Sequence, residues 1–377
     1  MPKYELKTTL SVLEDLGINN YTDAAAVLSE IVANAWDADA THVRVGVKGS
    51  GGNRALTIQD DGIGMTVTDL KRRYLIVGYK RREHTGGATT PLGRQVMGRK
   101  GIGKLAVFSI ASTIEVHTVS KTARNAFRMD LDALRKSAKA GKPYHPTVIP
   151  CATDLVRGTR IVLSDLNPDI VLTDRYLRRN LSRRFTVIDG AHDFEVSVNG
   201  KVLTLADREY YDKLQYVWEF DMPGVVELAT KAEFKATRAA TVPVSNRHGK
   251  PTIYNLSGWI GTVKERKQLG TSKDENINRL SLMVRGKLAH ENFMEEFSEA
   301  GVYATYLIGE LNADFLDLDE KPDIATSSRQ RIVQSDPRYI ALKAFVQSEL
   351  KNIESSWTGM RNEKGLETAL EIPAINA

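Results

Sequence analysis

The sequence predicts an α+β protein, on three observations: a helix at residues 23–40 that is apolar on nearly every side, short alternating strands that follow it, and glycine clusters where strands end. In the helix, Val27, Leu28, Ile31, Val32, Ala35 and Trp36 cover most of the surface at 3.6 residues per turn, which marks an element buried almost all round. One stripe differs. Glu30, Asn34 and Asp37 stand at i, i+4 and i+7, so two acids and an amide line one face. Unpartnered carboxylates are costly to bury, so this face is expected to look into a polar cavity. Alone, such a stripe is equally the mark of a solvated amphipathic face.

The following residues favour the cavity. Val43, Val45 and Val47 alternate along one strand, Leu56 and Ile58 along the next, and Gly49–Asn53 turns between them as a hairpin. At the end of the second strand stands Asp60-Asp61-Gly62-Ile63-Gly64-Met65, where glycines permit close backbone approach and an acid can accept a hydrogen bond. A second cluster, Gly98-Arg-Lys100-Gly101-Ile102-Gly103-Lys104, leads into the apolar segment 105–111 and is expected to open a helix, leaving N–H groups free for phosphate. It is not a P-loop. Leu105 stands where a Ser or Thr must bind Mg²⁺, and no strand precedes the glycines. No dinucleotide-binding glycine pattern follows a first strand either.

In order and context, these motifs resemble the GHKL ATPase superfamily of gyrase B, the heat-shock chaperones, MutL, MORC proteins and sensor histidine kinases. Glu30-x-x-x-Asn34-x-x-Asp37 resembles the N box, Asp60-x-Gly62-x-Gly64 the first glycine box, Gly98–Gly103 the second, and Gly158-Thr159 the last box. The resemblance implies a two-layer α/β sandwich, the Bergerat ATP-binding fold, over residues 1–170, with an ATP lid at about 78–103. It implies ATP and Mg²⁺ as ligands. Glu30 would activate water, Asn34 would hold the metal, Asp60 would read the adenine amino group, and Gly62, Gly64 and Met65 would let the base approach. Lys100, Gly101, Ile102, Gly103 and Lys104 would hold phosphates, Thr159 would share a water with Asp60, and Asp37 would touch bound water or orient the helix. In the lid, Lys80, Arg81 and Arg82 read either as phosphate contacts or as a solvated basic run.

Further strands are expected at 114–119 and 127–130, a helix over Leu131–Lys139, and a strand at 160–164. From about residue 171, an Arg-rich helix suggests the start of a second α+β domain, 171–340, which resembles the transducer domain of the same superfamily. Its run Ser327-Ser328-Arg329-Gln330-Arg331 is similar to the chaperones' Ser-Arg-Glu loop, making Arg329, with Arg331 as alternative, the candidate γ-phosphate sensor. Residues 341–377 read as a C-terminal helix and tail.

The 377 residues, 42% hydrophobic, suffice for two cores. A net charge of +5 permits an acidic partner such as nucleic acid without requiring one. Cys151 is the only cysteine, which excludes an internal disulfide and multi-thiolate zinc sites. No apolar run reaches membrane-spanning length and no signal peptide is visible, so a cytoplasmic protein without a membrane partner is expected. The strand 4–10 reads either as an edge strand or as an arm reaching a partner protomer. The overall expectation is an ATP hydrolase that forms a homodimer on binding ATP. It would work as a switch or clamp in DNA-related or defence processes, alone or with a separate effector subunit. A chaperone-like ATPase is the alternative. A sensor kinase is disfavoured, because no phospho-accepting histidine helix precedes the N box.

Overall fold

The structure is a computed structural model. It describes residues 23–84, 87–99, 101, 103–188, 190, 192–222, 224–246, 249–270, 276–297, 302–321 and 333–371. The expected strand 4–10, Lys100, Ile102, Arg329 and Arg331 lie outside these residues. The chain divides into two compact units, 1–209 with 285–288, and 210–284 with 289–377.

In the first unit, α1 (Ala24–Asp37) is buried over most of its length, with Asn34 its one exposed residue. Val27, Leu28 and Val32 are wholly enclosed, each burial contributing about 1.5–3 kcal/mol. Asp23 caps the helix by accepting from the N–H of Ala25 at 2.9 Å. At the other end the Asp37 carbonyl accepts from the Arg81 guanidinium at 2.7 Å, a cation placed on the negative end of the helix dipole.

An eight-stranded sheet carries this helix layer, in the order β5-β4-β3-β6-β2-β1-β7-β8. The strands are β1 (His42–Lys48), β2 (Ala55–Asp60), β3 (Ala111–Val119), β4 (Arg124–Asp130), β5 (Thr147–Val148), β6 (Gly158–Leu166), β7 (Glu195–Val198) and β8 (Lys201–Val202). All pairs are antiparallel except β1 with β7. Val43, Val45, Leu56, Ile58, Ile114, Val116, Ile161 and Leu163 supply the core side of the pleat, as the alternation predicts. The segment expected to open as a helix after the second glycine cluster is instead a 3₁₀ run, Gly103–Ser109, which passes directly into β3. At seven residues it is too short to sustain an α-helix by itself. Helix α2 (Leu131–Lys139) forms as expected, capped by Asp130.

The Arg-rich stretch forms α3 (Asp174–Ser182) and belongs to the first unit, whose boundary falls at Glu209 rather than near 170. Its composition suggested a new domain, but its guanidiniums serve the old one. Arg178 makes a bidentate pair with Asp207, Arg175 pairs with Glu209, and Arg184 meets the capping Asp23 at 2.8 Å. Beyond α3, Val196 and Val198 of β7 extend the first core.

The second unit holds a six-stranded mixed sheet, β10-β9-β13-β16-β14-β15. Its strands are β9 (Leu214–Phe220), β10 (Phe234–Arg238), β13 (Ser257–Val263), β14 (Leu280–Val284), β15 (Lys287–His290) and β16 (Leu307–Asn312); β11 (Thr241–Asn246) and β12 (Gly249–Asn255) form a separate ribbon. Helix α4 (Pro337–Glu371) contributes Tyr339, Leu342, Val346, Leu350 and Ile353 to this core, a stripe spaced by three and four residues. The expected C-terminal helix therefore forms and, through residue 353, is core of the second unit. Among the described residues no helix is long and apolar enough to cross a membrane.

Gly158 marks where the sheet tolerates no side chain. It has φ +95°, and a Cβ there would stand 2.1 Å from the Asp60 carbonyl oxygen. Gly158→Ala is expected to lower the melting temperature by several degrees through strain of a few kcal/mol. Gly46→Ala, at a β1 position with open space, is the control expected to leave it unchanged. Equal melting temperatures for the two variants would refute the close approach.

Candidate nucleotide site

Three segments of the first unit form the site: the polar stripe of α1, the end of β2 with the start of β6, and the second glycine cluster. At the β2 end, Asp60 Oδ1 accepts both the N–H of Gly62, at 2.9 Å, and the N–H of Thr159, at 3.1 Å. Both bonds fall on one oxygen. Burial pushes the carboxyl up to about 6, against the pull of those two donors. Its neighbour behaves oppositely. Burial also works against Asp61, yet the His42 N–H, the Thr41 hydroxyl, the His42 ring and the Thr41 N–H outweigh it and hold the carboxyl at about 2. Asp61 is spent on anchoring the start of β1, whereas Asp60 remains a poorly solvated acceptor.

Close packing surrounds Asp60. A Cβ on Gly62 would lie 2.6 Å from the Ala38 carbonyl oxygen, and one on Gly64, whose φ is +66°, would lie 2.1 Å from that of Val119. Met65 is held through its main chain, its N–H donating to Thr118 Oγ1 at 2.9 Å and its carbonyl accepting from Asn125 at 3.1 Å. Thr159 meets Asp60 through its backbone N–H, while its hydroxyl lies 3.2 Å from that of Thr118.

Along α1 the three stripe residues separate. Asn34 is exposed. Asp37 is buried and accepts the N–H groups of Met97 at 2.8 Å and Gly98 at 2.9 Å, so it ties the helix to the second glycine cluster. Burial raises its carboxyl, and those N–H groups lower it in part. Glu30 Oε1 accepts from Lys287 Nζ at 2.7 Å, with the lysine side chain only 3% exposed. Gly103 adjoins the same carboxylate: a Cβ there would stand 2.7 Å from Glu30 Oε2. Lys104 donates to the Ile76 carbonyl at 2.6 Å, and burial pulls its ammonium down to about 7. Gly101, at φ +65°, leaves no room for a Cβ against Tyr79.

Lys287 is the residue that motif reading missed. The turn Arg285-Gly286 between β14 and β15 has both residues at positive φ, 52° and 75°, as a two-residue hairpin turn requires. Its tip is held by Thr186 donating to the Gly286 carbonyl and Leu288 donating to that of Arg184, both at 2.9 Å. The Arg-Gly pair between apolar runs was the available signal. Of the lid cations, Lys80 is exposed and pairs with Glu83 at 2.8 Å, as a solvated run would, whereas the two arginines turn inward. Arg81 donates to the Asp37 carbonyl and Arg82 to those of Met97 and Gly98, which fastens the segment to α1 and to the glycine cluster.

The chain matches the family model described as histidine kinase-, DNA gyrase B- and HSP90-like ATPase over residues 21–157. It is 34% identical over 363 residues to a putative type II restriction enzyme, HgiDII, of Herpetosiphon aurantiacus, covering 96% of this chain and 57% of that one. It is 28% identical over 149 residues to the chaperone protein HtpG of Oceanobacillus iheyensis, covering 34% of this chain and 24% of the chaperone. It is 26% identical over 201 residues to the DNA mismatch repair protein MutL of Afipia carboxidovorans, covering 53% and 29%. The chain thus spans little more than half the length of the first relative and under a third of the other two. With the family match lying over α1 and both glycine clusters, residues 21–157 form a domain of the histidine kinase-, DNA gyrase B- and HSP90-like (GHKL) ATPase family.

Proposed function

We propose that this protein binds ATP with Mg²⁺, hydrolyses it, and uses the nucleotide to close a dimer that acts as a switch or clamp on DNA. The observation that carries the nucleotide reading is the Asp60 corner. With both backbone donors on Oδ1, Oδ2 is the oxygen to accept the adenine amino group; guanine offers a carbonyl there, so ATP is selected over GTP. Gly62, Gly64 and Met65 give the base a close wall, and the Thr159 N–H fixes the carboxylate. Gly101, Gly103 and Lys104 take the phosphates, with Lys100 and Ile102 completing that cluster in sequence; a half-buried ammonium near neutrality gains a proton as it meets phosphate.

Glu30 is the general base that takes the proton of the attacking water. Before nucleotide arrives its carboxylate is paired with Lys287. A terminal phosphate competes for that lysine, so Lys287 stabilises phosphate charge while Glu30 becomes free to accept the proton. This lysine fills the role expected of Arg329, which rests on the sequence resemblance alone. Asp37 acts indirectly, holding Met97 and Gly98 so that the glycine cluster keeps its place. Asn34 fits Mg²⁺, a hard ion that needs few protein oxygens because it keeps waters and substrate oxygens. Among the described residues no group of three or more His, Cys, Asp or Glu forms an all-protein cage. Bound Mg²⁺ would offset charge on the phosphate oxygens.

The DNA reading draws on the restriction-enzyme and mismatch-repair names of two relatives and on a sequence pI near 9.0. It includes a defence setting and a separate effector subunit. HtpG relatives support the second reading, a chaperone-like ATPase on protein clients. Mass measured by light scattering, with and without a non-hydrolysable ATP analogue and duplex DNA, separates them. The expected result is a doubling of mass on analogue and salt-sensitive retention of DNA. An unchanged mass rejects the dimer switch, and retention of an unfolded protein in place of DNA favours the second reading.

A further inference from the structure

Residues 121–157 contain eight Lys and Arg against three acids, a local charge of +5 that equals the net charge of the whole chain. The rest of the sequence is therefore neutral in sum. All 37 of these residues are described, and they build one edge of the eight-stranded sheet: β4, α2, β5 and the loop to β6.

Two of the three acids are already spent. Asp130 caps α2 by accepting the Ala133 N–H at 2.8 Å, and Asp154 makes a bidentate pair with Arg160. Lys136 and Lys139 share a face of α2 at i and i+3, and Lys142 follows the left-handed turn at Gly141. All three are exposed, and none forms an ion pair among the described residues. Lysines at a helix C-terminus are commonly explained by the helix dipole. That explanation covers Lys136 and Lys139 but not Lys142, beyond the helix, nor the gathering of the entire net charge here. Two other basic tracts are consumed internally: within residues 175–184, Arg178, Arg175 and Arg184 pair with Asp207, Glu209 and Asp23, and Arg81 and Arg82 bond main-chain carbonyls.

The edge is also fixed in shape. Tyr144 Oη accepts the Asp130 N–H at 2.8 Å, Ile149 donates to the Ala126 carbonyl at 3.1 Å, and Arg124 donates to that of Ala152 at 2.7 Å. Exposed ammonium groups carried on a backbone fixed in this way suit a regular row of phosphates. Its Phe and Tyr neighbours, Phe127 and Tyr144, are buried, so neither ring is offered for stacking an unpaired base.

We propose that the α2–β5 edge is a docking surface for the backbone of duplex DNA, with Lys136, Lys139 and Lys142 as phosphate contacts that read no sequence. It rests on the DNA reading above and assigns that reading a place on the chain. The test is fluorescence anisotropy of a labelled duplex against the wild type and a K136E/K139E/K142E variant over a salt series, with anionic phospholipid vesicles as a parallel arm. The variant's surface positions should leave ATP binding and turnover unchanged. The expected result is an affinity loss of at least about tenfold and a fall of about 2–3 in the slope of log K against log salt, since each phosphate contact contributes about 0.9. Equal affinity and slope for the two proteins would overturn the assignment of the surface while leaving DNA binding itself standing. A wild type that binds no duplex at low salt, or binds only vesicles, would overturn both the surface and the DNA reading, with the ATP pocket untouched.

Discussion

Replacing Glu30 with glutamine should cut ATP turnover by about 10²–10⁴-fold while nucleotide still binds, the range expected when a positioned general base is lost. The amide keeps an oxygen at the point where Lys287 Nζ now donates at 2.7 Å, so the lysine retains an acceptor and the fold is expected to hold. Alanine is a harsher test. It removes that acceptor from an ammonium only 3% exposed and should lower the melting temperature as well as the rate. Single-turnover hydrolysis together with equilibrium binding of labelled ATP separates the two effects. Glu30→Gln turning over at the wild-type rate would remove Glu30 from the chemistry, and loss of binding without a rate effect on the bound fraction would make it a binding residue only.

Asp60→Asn should abolish measurable ATP binding and at the same time make the protein more stable. The amide keeps an oxygen for the Gly62 and Thr159 donors but presents an –NH₂ where the adenine amino group must be accepted. The stability gain follows from the carboxyl being raised from 3.8 to about 6, chiefly by burial. Below pH 3.8 the acid is neutral folded and unfolded, and nothing is lost. Between about pH 4 and 6 the unfolded chain ionises first, so wild-type stability falls as pH rises, by an amount of order 2–3 kcal/mol that stays constant above 6. The asparagine variant does not undergo this loss. The difference in melting temperature should therefore be near zero at pH 4, grow towards pH 6, and then level off. A melting-temperature difference between variant and wild type that is the same at pH 4 and 7.5 would show that Asp60 is not desolvated, and a variant that still binds ATP would show that it is not the base-reading group.

How much of this was legible in the sequence depended on distance along the chain. The periodicity of α1 and the alternation of β1 and β2 are local, and the structure follows them closely; the exposed Asn34 on an otherwise buried helix is the stripe that the spacing drew. Glu30, Asn34 and Asp37 shared one face on paper, yet Asp37 is used inside the protein because the Met97 and Gly98 N–H groups reach it from 60 residues away. Lys287 was out of reach for the same reason, lying 257 residues from Glu30, with only an Arg-Gly turn to mark it. The domain boundary was misread because composition does not reveal whether arginines have carboxylate partners; Arg178, Arg175 and Arg184 pair with Asp207, Glu209 and Asp23. The segment 103–109 was too short for its apolar content to distinguish α from 3₁₀ geometry.

The central claim is that one adenine nucleotide is held between the α1 stripe, the Asp60 corner and the second glycine cluster. Calorimetric titration of the protein with ATP and, separately, with GTP, both in the presence of Mg²⁺, addresses it most directly. The expected result is saturable uptake of one ATP per chain and no measurable heat of binding with GTP under the same conditions. Uptake of neither nucleotide, or of GTP as readily as ATP, would contradict it.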